Sequence, residues 1–201
     1  MQNDLFDNWL EEKPEKVADI KKLTGRAVFT DDTFSYIKSI VAQTNKAVIV
    51  SEKKHDFKNN CSFTYKEIKS NYAGFLTVAE KKIIILTDID PLYRYDTSIA
   101  RFFVNVCSSI SKHKIVIGKK MIRNNIYDIF SYMFFLDKKI IDINHYWCFK
   151  ANHMEESVFD KQPIRMLDIE YLAKKLKDYI ILDKPVLENS LEKAIYETIS
   201  T

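Results

Sequence analysis

The stretch IIILTDID, from Ile83 to Asp90, places two carboxylates directly after a run of apolar residues. A buried strand that ends in aspartates at the carboxyl edge of a sheet is the arrangement with which nucleoside triphosphatases hold a magnesium-bound nucleotide. Asp88 and Asp90 are therefore the first candidates for a nucleotide site.

A second candidate chemistry is metal-dependent cleavage of nucleic acid. Asp32 and the segment SEKK have the spacing of a D…ExK nuclease, in which Asp32 and Glu52 would hold magnesium and Lys54 would stabilise charge on the scissile phosphate. A solvated turn explains the same residues, so the nuclease remains an alternative. The 4 histidines and 3 cysteines have no metal-ligand spacing, and no further metal site is predicted.

Basic residues are densest at Lys112, Lys114, Lys119, Lys120 and Arg123. Lysine and arginine side chains contact nucleic-acid phosphates, so this basic group is a candidate for a nucleic-acid surface. A solvated loop explains these charges equally well. The only arginines are Arg26, Arg94, Arg101, Arg123 and Arg165, which is a thin basis for bidentate phosphate recognition.

The segment NHYWCF contains the densest aromatic cluster of the chain, with Tyr146, Trp147 and Phe149 beside His145. Such side chains stack on bases, anchor protein interfaces, or pack over a helix end. Packing over the helix end is the more common role of such a cluster, and beside it we name Tyr146, Trp147 and Phe149 as the predicted partner-binding residues.

The composition bounds the class of protein. At 201 residues with 46% hydrophobic and 29% charged residues, the chain is typical of one globular domain. The acidic start MQNDLFDNWLEEKPEK has no signal-peptide core, and no apolar run approaches the ~20 residues of a membrane span. Together with the unpaired cysteines, this predicts a cytoplasmic protein without a membrane partner.

Apolar runs of strand length alternate with helical patterns, which predicts a doubly wound α/β fold with a mainly parallel sheet flanked by helices. Ile99, Phe102, Phe103, Val106 and Ile110 have the spacing of one helix face, and a second stripe starts at Ile126. The predicted strands are Arg26–Thr30, Lys46–Ser51, Cys61–Thr64, Lys82–Thr87 and Lys114–Gly118.

The C-terminal quarter has a different pattern. FKANHMEESVFDKQP is polar and predicts a loop. The segments Asp168–Lys177 and Asn189–Ser200 are helical in pattern, and the strand-like DYIILDKP lies between them.

The segment IVIGKKMIRNNIYDIFSYMFFLDKKII resembles the third motif region of Swi/Snf-type DNA translocases, which belong to helicase superfamily two. Gly118 matches the family glycine, Asn124 and Asn125 the asparagine pair, and Phe135-Leu136-Asp137 the family Phe-Leu-Asp. SFTYKEIKS, AVIVSEKK and IIILTDID follow the family order. The resemblance covers roughly residues 20 to 200 and implies a first RecA-like lobe, a P-loop NTPase-type fold, without the second lobe. It also implies that Lys119, Lys120 and Arg123 lie near the family's nucleic-acid groove, which makes them the predicted contacts for duplex DNA.

In that register the nucleotide motifs are degenerate. The family's Asp-Glu pair is replaced by Asp88-Ile89-Asp90, and its glycine-rich phosphate loop by VFTDDTFSYIKSI. Asp31 and Asp32 remain, while Lys38 followed by Ser39 only mimics the Lys-Ser/Thr of a phosphate loop. A solvent-facing helix lysine is the alternative for Lys38.

These observations predict residues 1–150 as a degenerate helicase lobe and residues 151–201 as a C-terminal helical extension packed on the same domain. The predicted function is a catalytically inactive, translocase-like module that binds no cofactor and acts in a protein complex, with duplex DNA as a second partner. The enzymatic alternative is a magnesium-dependent nuclease or a residual ATPase acting on nucleic acid. The Lys-, Asn- and Ile-rich composition is typical of an AT-rich genome and favours a viral origin in a host cytoplasm.

Overall fold

A computed structural model of the chain describes residues 19–57, 60–123, 127–143, 145–159, 163–182 and 193–194. Within these ranges a parallel sheet of six strands has helices on both faces, which confirms the predicted fold class. The strands are β1 (Arg26–Phe29), β2 (Ala47–Ser51), β3 (Cys61–Thr64), β4 (Ile83–Thr87), β5 (Lys114–Gly118), β6 (Met154–Glu156), β7 (Pro163–Met166) and β8 (Ile180–Leu182). The order in the sheet is β3-β2-β4-β5-β1-β8, while β6 and β7 form a separate antiparallel ribbon.

Helices precede β1 and lie between most pairs of successive strands, with β2–β3 and β6–β7 as the exceptions in the described residues. They are α1 (Ile20–Leu23), α2 (Thr33–Val41), α3 (Tyr65–Ser70), α4 (Tyr72–Ala79), α5 (Asp90–Tyr93), α6 (Ser98–Phe102), α7 (Ser108–Ile110), α8 (Asp128–Leu136), α9 (Tyr146–His153) and α10 (Ile169–Leu176). A π-helical turn, Phe103–Cys107, joins α6 to α7. In the described part of the chain, no helix is both long and apolar enough to cross a membrane.

Both faces of the sheet are buried because successive strand residues point to opposite sides. In β2, Val48 and Val50 belong to the larger core cluster, whereas Ile49 belongs to the smaller one. Helices α1 and α2 cover the smaller cluster with Leu23 and Ile37, and the other helices contribute to the larger. Continuous runs of Val and Ile in the sequence reflect this double burial.

The prediction that one helix face from Ile99 to Ile110 is buried is wrong at one position. Val106 is 39% exposed, while Val104 and Cys107 are buried. The reason is the π-helical turn Phe103–Cys107, whose wider turn shifts the side chains that follow relative to an α-helix.

The prediction of a loop over FKANHMEESVFDKQP is also wrong. Helix α9 continues to His153, β6 follows at once, and Pro163 begins β7. A salt bridge of 2.5 Å between Lys150 and Glu156 links α9 to β6. Strands of three or four mixed residues carry too little alternation for a sequence pattern to reveal them.

The segment DYIILDKP contributes a strand, as its pattern predicts. β8 pairs in parallel with β1, and it supplies the last strand of the main sheet from within residues 151–201. Helix α10 matches the predicted Asp168–Lys177 segment. The predicted helix Asn189–Ser200 lies outside the described residues except for Lys193 and Ala194, which are helical.

Candidate functional site at the carboxyl edge of the sheet

The ends of β2, β4 and β5 meet the start of α2 around a cleft of about 410 Å³. Parallel strands place their carboxyl ends at one edge, so residues far apart in sequence converge there. The cleft is lined by Thr33, Glu52, Asp88, Ile89, Asp90, Tyr93, Lys119, Lys120 and Arg123.

The phosphate-loop position is occupied by a short connection between β1 and α2. Asp32 is the N-cap of α2, and its Oδ1 accepts a hydrogen bond of 3.1 Å from the Ser35 amide. The Asp32 amide in turn donates to Thr30 Oγ1 at 3.2 Å. A carboxylate of the chain itself therefore accepts from the Ser35 amide at the N-terminus of α2, with Asp31 exposed beside it.

Lys38 and Ser39 lie in the middle of α2 and do not line the cleft. The exposed Lys38 has its Nζ 4.7 Å from the centre of the Phe34 ring. Ser39 is buried, and its hydroxyl donates to the Tyr36 carbonyl at 2.8 Å. This geometry agrees with the helix-lysine alternative for Lys38.

Asp88 and Asp90 do converge on the cleft, as their position after β4 predicts. The backbone of Asp88 is left-handed, with φ of 49°. Its Oδ2 accepts a hydrogen bond of 3.2 Å from the Glu52 amide, so Asp88 ties the end of β4 to the end of β2. Asp90 starts α5 and lies 3.4 Å from Arg123 in an exposed ion pair.

Tyr65 is a buried residue beneath this edge that the sequence pattern did not single out. Its hydroxyl donates to the Thr87 carbonyl at 2.8 Å. Burial, followed by the negative charges of Asp88 and Asp90, raises the pKa of Tyr65 well above its usual value. The available signal was the capping box that starts α3, in which Thr64 and Glu67 satisfy each other's backbone amides.

The residues of the D…ExK pattern are not assembled as a nuclease site. Asp32 caps α2, Glu52 lines the cleft, and Lys54 forms a salt bridge of 2.9 Å with Glu67 instead. The backbone N–H of Thr64 and the Lys54 side chain lower the pKa of Glu67. Among the described residues, no group of three acidic, histidine or cysteine side chains has the arrangement of a metal site.

The three predicted DNA contacts, Lys119, Lys120 and Arg123, are exposed and line the cleft. The Arg123 amide donates to Asp128 Oδ2 at 2.9 Å, and the Tyr93 hydroxyl donates to the Lys120 carbonyl. Their side chains share the cleft with three carboxylates, so the cleft contains both signs of charge.

Lys114 does not belong to an accessible basic surface. It is buried, its Nζ donates to the Ser108 carbonyl at 2.8 Å, and burial lowers the pKa of its ammonium group. Lys112 is exposed but belongs, with Lys114, to another cavity at the opposite end of β5. The basic group that is dense in sequence is therefore split in space.

Gly118 ends β5 at a place where its neighbours leave little room. A Cβ at Gly118 would lie 3.1 Å from Ile89 Cδ1 and 3.3 Å from Phe29 Cε1. This close approach explains why glycine, which has no Cβ, suits position 118, the position that matches the family glycine. Asn124 and Asn125, which follow it in the motif, lie outside the described residues.

The aromatic cluster divides into a buried and an exposed part. Phe149 is fully buried, so its predicted contact with a partner is wrong: it packs 5.5 Å from the Phe130 ring. Tyr146 stacks on Tyr95 at 4.6 Å, and burial raises the pKa of Tyr146 to about 12. Trp147, by contrast, is 68% exposed.

Comparison with solved structures places this architecture among known folds. The SWI2/SNF2 ATPase core of Sulfolobus solfataricus in complex with dsDNA is similar with a TM-score of 0.60 and 15% identity, over 86% of this chain and 43% of that one. The SWI2/SNF2 ATPase core domain of the same organism is similar with a TM-score of 0.49 and 17% identity, over 84% of this chain and 34% of that one. This chain thus spans less than half of either structure.

No family model matches the sequence, and no curated protein matches it. At such low identity the structural likeness concerns the fold alone. At that level it confirms the predicted resemblance to a RecA-like lobe of a Swi/Snf-type core.

Proposed function

We propose that this chain is a non-hydrolysing RecA-like module that acts by binding a protein partner. The observation that carries the non-hydrolysing part of the proposal is the carboxylate cap on α2. Asp32 satisfies the Ser35 amide at 3.1 Å and places negative charge at the helix N-terminus, where a RecA-like fold would hold phosphate. A nucleotide phosphate would have to displace this carboxylate and approach Asp31 as well.

The cleft supports the same proposal. A triphosphatase needs one carboxylate for the cation and another group for the attacking water. Here Asp88 holds the Glu52 amide and Asp90 faces Arg123, so the two carboxylates that follow β4 already have partners within the protein. The nuclease alternative receives no support from this geometry, since Lys54 is paired with Glu67.

Trp147 is the residue that we assign to partner binding. Helix α9 is fixed by Phe149 and by the stacked Tyr146, so the exposed Trp147 ring is presented from a rigid element. The ring packs against Tyr146 at 5.1 Å, and Lys150 Nζ lies 5.7 Å from its centre. A large, positioned aromatic side chain of this kind is typical of an interface anchor.

The absence of nucleotide binding is tested by isothermal titration of the whole chain with magnesium-ATP. We expect no heat of binding, because the Asp32 carboxylate already accepts a hydrogen bond from the Ser35 amide at the N-terminus of α2. Low-micromolar binding that Lys38→Ala abolishes would contradict the proposal and restore the residual ATPase.

The partner-binding role is tested by affinity capture from the native host, with nucleic acid digested in parallel. We expect Trp147→Ala to remove the captured partner at a cost of about 2 kcal/mol or more, while the circular dichroism spectrum is unchanged. Tyr171→Ala is the control, because Tyr171 is also exposed but lies on α10. Equal loss in both variants, or no loss, would count against Trp147 as the anchor.

Duplex DNA is a second candidate partner, favoured by the similar Sulfolobus solfataricus core, which was solved with dsDNA. Lys119, Lys120 and Arg123 supply the exposed charges for phosphate contacts. If they bind DNA, changing all three to alanine will reduce the slope of log K against log salt concentration. The reduction should correspond to the loss of up to about three phosphate contacts. The charge-matched control changes the exposed Lys112, Lys138 and Lys139. A salt-sensitive DNA shift without any captured protein would rank DNA above a protein partner.

A further inference from the structure

A second, smaller cavity of about 260 Å³ lies beside the cleft and joins an aromatic wall to two carboxylates. It is lined by Thr33, Phe34, Ile37, Glu52, Lys53, His55, Thr87 and Asp88. The proposed functions above leave this cavity unused. Its shape and chemistry indicate what it could hold.

The aromatic wall consists of Phe34 and His55, and the Phe57 ring, which does not line the cavity, packs against both. Phe34 lies 5.8 Å from His55 and 6.1 Å from Phe57, and His55 lies 5.6 Å from Phe57. Phe34 remains 45% exposed, although Phe57 packs against the smaller core cluster. Each ring is held by the other two, so the wall is preformed.

The Phe34 ring already interacts with a cation of the chain. Lys38 Nζ lies 4.7 Å from the centre of this ring, within the range of a cation–π contact. The Phe34 ring thus attracts a positive group, and a second cation would have to displace Lys38 or stack on the opposite face of the ring.

The carboxylates of Glu52 and Asp88 form the polar side of the cavity. The backbone amide of Glu52 donates a hydrogen bond to Asp88 Oδ2, and this bond orients the Asp88 carboxylate at the cavity. The Glu52 side chain is exposed and, among the described residues, forms no hydrogen bond or ion pair. The basic groups in the lining are Lys53 and His55, of which only Lys53 is a permanent cation, so the two carboxylates outnumber it.

We propose that this cavity receives an arginine side chain from a protein partner. A guanidinium is planar and stacks on aromatic rings, and its fork of N–H donors matches a carboxylate. One side chain would therefore satisfy the Phe34 wall and the Glu52 carboxylate together. Lysine lacks the planar fork, and a phosphate group would face Glu52 and Asp88 directly. The inference rests on the proposed protein-binding function and names one contact of the partner.

The test uses the whole ¹⁵N-labelled chain and three blocked tripeptides, Gly-Arg-Gly, Gly-Lys-Gly and Gly-citrulline-Gly. We expect the arginine peptide to shift the amide resonances of Phe34, Glu52 and His55 with weak, saturable affinity. The lysine peptide should bind less well. Citrulline keeps the shape of arginine without its charge and should give no saturable shift.

Two variants locate the site. Glu52→Gln and Phe34→Leu should each weaken arginine-peptide binding by about threefold to fivefold, the size of one exposed ion pair or cation–π contact. Glu80→Gln, which removes an exposed carboxylate outside the cavity, should leave it unchanged.

Equal shifts from the arginine and citrulline peptides, or no saturable shift from either, would overturn the proposal. Saturation of the same resonances by adenosine, with no response to arginine, would assign the cavity to a nucleoside instead. Neither result would affect capture of a partner through Trp147, so the two proposals fail separately.

Discussion

At the scale of single residues, Asp32 has the clearest physical role in the candidate site. Its carboxylate accepts from the Ser35 amide and completes the first turn of α2. The same contact stabilises the helix and places negative charge at its N-terminus. One side chain thus links the local stability of α2 to the proposed loss of nucleotide binding.

We expect Asp32→Ala to lower the free energy of unfolding by about 1 kcal/mol, because it removes a helix cap. Urea denaturation measures this change. Asp31→Ala is the matched control and should stay within about 0.5 kcal/mol, since Asp31 is exposed and caps no helix. Equal effects of the two substitutions would contradict the capping role.

At the scale of elements, buried side-chain contacts fix the carboxyl ends of the strands. Tyr65 ties α3 to the end of β4 through the Thr87 carbonyl, and Tyr132 ties α8 to the segment after β5 through the Met121 carbonyl at 2.8 Å. These tethers hold the loops of the cleft in place. Their partners are 22 and 11 residues apart in sequence, which no local pattern reveals.

We expect Tyr65→Phe to lower the free energy of unfolding at pH 7 by about 1 kcal/mol, because the buried Thr87 carbonyl loses its donor. The raised pKa of Tyr65 adds a pH dependence. The neutral phenol is favoured in the folded chain. Its contribution to the free energy of unfolding is therefore complete below about pH 10, the pKa of tyrosine in the unfolded chain, and is lost as the pH rises through the higher pKa of the folded chain.

Urea denaturation at pH 7 and near pH 11 tests this effect. The difference between the wild type and Tyr65→Phe should shrink at the higher pH. Tyr95→Phe is the control, because the Tyr95 hydroxyl forms no hydrogen bond within the described residues. A constant difference at both pH values would show that Tyr65 does not titrate as proposed.

At the scale of the whole molecule, β8 connects the C-terminal segment to the main sheet. It pairs with β1 in parallel, and the Ala27 amide also donates to the Tyr179 carbonyl at 2.8 Å. Ile180 is buried in the larger core cluster, whereas Ile181 is half-buried against the smaller one. We therefore expect the segment that carries β8 to unfold together with the sheet.

Ile180→Ala should lower the free energy of unfolding by about 2–4 kcal/mol, because it leaves a cavity in the core. Ile181→Ala, on the other face of the same strand, should lower the free energy of unfolding by less. Calorimetry of both variants should show a single transition shifted to lower temperature. An unchanged main transition with a separate early one would mean that residues around β8 form an independent unit.

The sequence by itself determined the parallel strands, the fold class and the convergence of Asp88 and Asp90 on one edge, because these follow from local periodicity and from the direction of parallel strands. Only the tertiary structure decided which candidate side chains are available. Lys54 forms a salt bridge with Glu67, and Lys114 donates a hydrogen bond to the Ser108 carbonyl. Phe149 is buried in the core, while Trp147 on the same helix stays exposed. Pairing and burial depend on partners distant in the chain, and a residue's type and spacing do not specify them. The cavity between Phe34 and Glu52 likewise exists only once α2 lies beside the end of β2.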